Sequence, residues 1–101
     1  MVRYKVKQDR AAENQRYIED VFKEIKATAP AGLHYASFKL DDGVTFVHIA
    51  SIDTESGENP LFQAPAFASF VADIEDRCED QPVTHPLHEV GSYAFHVESY
   101  R

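Results

Sequence analysis

Residues 33–52 constrain the fold more than any other stretch. Two β-rich runs, residues 33–40 and 44–52, flank Asp41-Asp42-Gly43. Asp-Gly between such runs is a hairpin signal. With Asp42-Gly43 as a two-residue loop, Ser37 falls opposite His48 and Tyr35 opposite Ala50. One face then carries Ala36, Phe38, Leu40, Val47 and Ile49. The other carries Leu33, Tyr35, Val44, Phe46, His48, Ala50 and Ile52, with Ser37 and Lys39 between. A three-residue loop would re-pair the faces. In either register both faces hold large apolar groups, so both need a cover.

The rest of the chain supplies one such cover. Val2, Tyr4 and Val6 alternate with Arg3, Lys5 and Lys7, the period of a strand with one solvated face. Asp9 is a suitable N-cap for a helix over residues 10–27. Its apolar face is Ile18, Val21, Phe22, Ile25 and Ala29, with Asn14 one turn ahead on the same side. Pro30 and Gly32 end it. Gly57 and Asn59-Pro60 mark residues 53–63 as a loop. A second helix is predicted over residues 65–79, with Pro65 in its first turn, an apolar stripe of Phe67, Phe70, Val71, Ile74 and Cys78, and Pro82 beyond it. Residues 83–97 read as a last strand, irregular at Pro86 and Gly91.

The order strand, helix, strand, strand, helix, strand predicts a single α+β domain, a ferredoxin-like βαββαβ plait of four antiparallel strands with two helices on one face. Two helices cover one face only. The face with Tyr35, Phe46, Ala50 and Ile52 is expected to be the one they leave, to be covered by a second copy of the sheet, because a two-fold interface is self-complementary. A homodimer packed sheet to sheet is the expectation.

Charge narrows the function. Lys plus Arg total 10 against 17 Asp plus Glu, a net charge of -7. Nucleic-acid backbones require clustered cations, so a nucleic-acid partner is not expected. One cysteine allows neither an internal disulfide nor a multi-Cys zinc site. No apolar run is long enough to span a membrane, and the first residues lack a signal-peptide pattern, so no membrane partner and a cytoplasmic location are expected.

The hairpin Asp42-Gly43-Val44-Thr45-Phe46-Val47-His48, the loop Asn59-Pro60-Leu61, the helix start Pro65-Ala66-Phe67 with Phe70, and Val90-Gly91-Ser92-Tyr93 together resemble the antibiotic-biosynthesis-monooxygenase-like branch of the dimeric α/β-barrel superfamily. The resemblance spans nearly the whole chain and lies in layout and packing. It implies a homodimer whose two sheets form one barrel and a small-molecule pocket between sheet and helices. It further implies cofactor-independent oxygenation of a small aromatic or quinol substrate, with no cofactor. Several active relatives pair an Asn with a Trp; this chain has no Trp.

On that reading His48 is the candidate base, taking a proton from a phenol so that the anion can donate an electron to oxygen. Asn14 is the candidate polarising donor for a substrate oxygen. Phe22, Tyr35, Phe62, Phe67 and Phe70 are the candidate substrate-binding wall, and the same residues serve equally as plain core. Tyr35 and His48 share a face in the favoured register, so both can instead belong to the dimer interface. Tyr4, Tyr93 and Tyr100 are unranked sources of a phenolic hydrogen bond. His34, His48, His85, His88 and His96 show no metal-ligand spacing, and no metal is expected. Cys78 is read as core. The alternative function is a non-catalytic small-molecule-binding or stress-related dimeric module.

Overall fold

A computed structural model describes residues 1–95. β1 spans Val2–Val6, α1 Ala11–Thr28, β2 Leu33–Lys39, β3 Thr45–Ile52, α2 Pro65–Ala72, α3 Ile74–Arg77 and β4 Cys78–Thr84. The four strands form one sheet in the order β2-β3-β1-β4. Every described pairing is antiparallel. The fold is α+β with an open four-stranded sheet, an arrangement compatible with a ferredoxin-like plait.

The hairpin register is the one expected from a two-residue loop: Ser37 faces His48 and Tyr35 faces Ala50. Asp42 fixes it. Its carboxylate accepts from the backbone N–H of Val44 at 3.0 Å and of Thr45 at 2.8 Å, and from the Thr45 hydroxyl. These bonds to the charged form, the Thr45 hydroxyl first, pull the Asp42 pKa down to about 2. At the other end of the hairpin Gly32 takes φ +78, and a Cβ there would collide with the carbonyl of Asp53.

The helices lie on the opposite face from the one expected. Tyr4, Phe46 and His48 are buried, and Tyr4 and Phe46 join Ile18, Val21, Leu61 and Phe70 in one core. The face of Tyr35 and Phe46 is therefore the covered one. The uncovered face carries the row Phe38, Val47, Arg3 and Val83, paired across the sheet. Phe38 is 45% exposed and Val83 53%. The reason is β1. Tyr4 pairs with Phe46, so the apolar side of β1 points the same way as Phe46, while Arg3 and Lys5 point the way of Val47 and Thr45. A cationic row sits poorly under helices, so the β1 alternation chooses the face.

The second half also departs from expectation. The predicted helix over 65–79 breaks at Asp73, and the chain is extended from Cys78 onward. The last strand is Cys78–Thr84 rather than 83–97, and residues 85–95 hold no strand. Residues 96 and 97 lie outside the described residues. Pro82 sits inside β4, on the sheet edge, where a missing N–H is tolerated. Pairing of β1 with β4 shifts register between Arg3 and Lys5 and again between Lys5 and Val6. At the start of α1, residues 8–10 form a 3-10 turn, and Asp9 does not cap the helix. Ala29 leaves the apolar stripe to become an exposed left-handed C-cap. No helix among the described residues is long and apolar enough to cross a membrane.

Gly32→Ala is expected to destabilise the protein by about 1 to 3 kcal/mol, since it combines a left-handed backbone with a clash. Gly43→Ala, at φ +76 with open space around it, is expected to lose less. Urea unfolding of the two variants checks the order.

Candidate functional site

Between the sheet and α2 lies a cavity of about 490 Å³. Its walls include Tyr4, Tyr35 and His48 from the sheet, Leu61 and Phe62 from the 3-10 turn Pro60–Gln63, and Phe67 and Phe70 from α2. The turn is set by Asn59, whose side chain accepts from the Leu61 N–H at 2.9 Å. Leu61 goes inward, and Phe62 stays 76% exposed at the rim. The rings form a continuous wall: Phe62 to Phe67 at 6.0 Å, Phe67 to Phe70 at 6.0 Å, and Phe70 edge-on to His48 at 5.5 Å. His48 is itself stacked between Tyr4 at 5.3 Å and Tyr35 at 6.0 Å.

The polar end is one connected chain. Tyr4 Oη lies 2.7 Å from His48 Nε2. Asn14 Nδ2 donates to Tyr4 Oη at 2.9 Å. Arg77 Nε donates to Asn14 Oδ1 at 3.1 Å. On the far side His48 Nδ1 meets Ser37 Oγ at 2.5 Å and Tyr35 Oη at 3.2 Å. Asn14 and Arg77 are both 0% exposed. The guanidinium lies 4.5 Å from the Tyr17 ring centroid and 5.5 Å from that of Phe70, and Nη2 donates to the Phe70 carbonyl. Nη1 has no hydrogen-bond partner among the described residues. Among the described residues no carboxylate forms an ion pair with Arg77.

Burial controls the titration here. It pushes the His48 pKa down from 6.5 to about 4, so the imidazole is neutral near pH 7. Burial raises the Tyr4 phenol above its ordinary value, opposed by the Asn14 hydrogen bond and the Arg77 charge. Tyr35 is also raised by burial, opposed by a hydrogen bond from Ser37.

Of the residues named from the sequence, His48, Tyr35, Phe62, Phe67 and Phe70 meet at the cavity. Asn14 stands behind the wall and touches Tyr4 rather than a ligand. Phe22 is not on this wall. It stacks on Tyr35 at 5.2 Å and borders a separate depression with Ile25 and Phe38. Tyr93 is exposed, and Tyr100 lies outside the described residues. Of the three tyrosines left unranked, Tyr4 supplies the phenolic hydrogen bond, and Arg77 is the member the sequence did not single out. Tyr4 is legible only once the sheet face is known. Arg77 follows from the break at Asp73: a single helix turns Arg77 away, and the break re-aims it inward. His34, His85 and His88 are exposed, and among the described residues no cluster of three or more His, Cys, Asp or Glu is placed to hold a metal. Cys78 is buried against the core with its thiol raised by burial.

No protein-family model, no curated protein and no solved structure matches the chain.

The depressed His48 pKa fixes a sign. The unfolded chain binds a proton on this residue near pH 6.5, and the folded chain only near 4. Stability from keeping His48 neutral is full above pH 6.5 and is lost as pH falls toward 4, by roughly 3 kcal/mol. Urea unfolding at stepped pH is expected to show this loss, and His48→Gln is expected to flatten it between pH 6.5 and 4.

Proposed function

We propose that the cavity binds a small aromatic molecule, its ring held among Phe62, Phe67 and Phe70 and its polar substituent at the Tyr4–His48 end. One observation carries this reading: an aromatic-walled space of about 490 Å³ closes on a single buried polar cluster. Small-molecule sites have that composition, mostly apolar with few placed polar groups. The His48 ring is neutral and has both nitrogens engaged, which suits orientation of a ligand better than abstraction of its proton. In this reading the protein is a binding module, and the loop over residues 53–63 forms the rim.

A second reading is cofactor-independent oxygenation of a phenol or quinol, as the resemblance to the antibiotic-biosynthesis-monooxygenase-like branch implies. The contact between Tyr4 and His48 Nε2 favours it. A phenolic proton can pass to Tyr4 Oη while Tyr4 passes its own to Nε2. That transfer has to overcome the burial that holds His48 near 4.

The assembly proposed is a homodimer in which two copies join their open sheet faces as a barrel. The support is the row Phe38, Val47 and Val83, interrupted by Arg3, beside Ala36 and Ile49, apolar groups on a face the helices leave bare.

Native mass spectrometry with 2-naphthol present tests the readings together. The expected result is a dimer carrying one naphthol per subunit, with Phe67→Ala losing it, and a Val47→Glu protein running as a monomer. A monomeric wild type removes the barrel; a dimer that takes up no aromatic removes the binding site. Oxygen uptake with 2-naphthol that disappears in His48→Ala would establish turnover; its absence leaves binding as the function.

A further inference from the structure

The hydrogen-bond chain behind the cavity has a direction, and Arg77 sets it. A guanidinium carries donors and no acceptor. Asn14 must therefore present Oδ1 to Arg77 and its amide N–H to Tyr4. That orientation follows from the partners rather than from the appearance of the amide, whose two ends look alike. From Tyr4 outward, protons can be counted. Tyr4, neutral His48, Ser37 and Tyr35 contribute one each, four in all. Three links take at most one each: Tyr4 Oη to His48 Nε2, Ser37 Oγ to His48 Nδ1, and Tyr35 Oη to His48 Nδ1. The fourth proton has nowhere to go inside the cluster, because the Asn14 end already donates inward.

Both imidazole tautomers leave a proton over at the cavity. With the proton on Nδ1, Tyr4 donates to Nε2, and Nδ1–H faces both Ser37 Oγ and Tyr35 Oη. Neither hydroxyl can then donate to Nδ1, and a spare proton is on Tyr35 Oη. With the proton on Nε2, Tyr4 Oη accepts from both Asn14 and His48, and the spare proton is on Tyr4 Oη. Both tyrosines line the cavity.

We infer that the cavity is built for a ligand with a hydrogen-bond acceptor and no donor at its inner end, an aryl ketone or a related carbonyl, and that Asn14 and Arg77 are positioning residues that impose this choice. The inference rests on the cavity being an aromatic-binding site and goes further by selecting the ligand's polar group. A ligand hydroxyl also accepts the spare proton, but its own proton then needs an acceptor. A carbonyl receives the spare one. Neighbouring donors along the chain polarise one another, which strengthens the last bond in the row.

Asn14→Asp tests this with minimal change of shape. The carboxylate still faces Arg77 and supplies the buried guanidinium with a counter-charge, so the fold is expected to hold. Its second oxygen accepts where the amide donated. Tyr4 must now donate to residue 14, Nε2–H donates to Tyr4, and Ser37 and Tyr35 both donate to Nδ1. All four protons are used, and the cavity meets only lone pairs.

The measurement is a calorimetric titration of the full chain with acetophenone and with α-methylstyrene, in which a methylene replaces the carbonyl oxygen. The wild type is expected to favour acetophenone by roughly fivefold to tenfold, the ordinary worth of one hydrogen bond. The Asn14→Asp protein is expected to lose that preference while keeping its affinity for α-methylstyrene. A ¹⁵N spectrum of the His48 ring serves as a second readout, with the proton on Nε2 in the variant. Equal binding of the two probes by the wild type overturns the inference and leaves the aromatic site standing, as does a preference that survives in Asn14→Asp. Failure of both probes to bind the wild type overturns the aromatic site and the inference with it.

Discussion

A buried guanidinium with no carboxylate partner among the described residues organises the helix side of this sheet. Such a charge is costly unless it is compensated, and Arg77 is held by neutral groups: Nε donates to the Asn14 side chain, Nη2 to the Phe70 carbonyl, and the guanidinium lies over the face of Tyr17. These partners come from α1 and α2, so Arg77 ties both helices to the start of β4. The arrangement depends on the break at Asp73. It brings Arg77 inward and starts the edge strand at Cys78, which pairs with Val6 and places both in the core. The polarity of the cavity and the packing of the edge strand thus share one cause.

His48 is the next link. It is held in place by two stacked tyrosines, by the edge contact of Phe70, and by partners at both ring nitrogens. A histidine so enclosed is locked in orientation, and its neutral form is the only one that burial favours. General-base chemistry asks for a group poised near the working pH. The enclosure that makes His48 a good fixed point therefore works against its use as a strong base. This is the physical ground for placing recognition ahead of turnover.

Much of this was legible in the residues. The Asp42-Gly43 turn sets the register, and that register brings Ser37, Tyr35 and His48 together. The apolar spacing of α1 placed Asn14 on the buried side. The covered sheet face was misread because both faces of the hairpin are apolar, so the hairpin alone cannot choose. The choice lies in β1, where Tyr4 and Arg3 alternate and their pairing to Phe46 and Val47 is a long-range fact. The second helix was misread for a related reason. Phe67, Phe70, Val71, Ile74 and Cys78 keep helical spacing through a break that only the sheet edge explains. Local periodicity reports which residues are apolar. It does not report where an extended neighbour captures the chain.

The two ends of the cavity are built differently, and the difference bears on selectivity. The inner end is rigid: buried rings, paired polar atoms and strands hydrogen-bonded on both sides. The rim is a 3-10 turn with Phe62 largely in solvent, anchored through Leu61 and Asn59. A ring in water at a rim can adjust to ligands of different outline at little cost, whereas a buried hydrogen-bond chain cannot reverse without a change of residue. Selection by polar group should therefore be strict, and selection by size loose. Sequence change at Phe62 or Phe67 would alter which rings fit. Sequence change at Asn14 or Arg77 would alter which functional group is accepted.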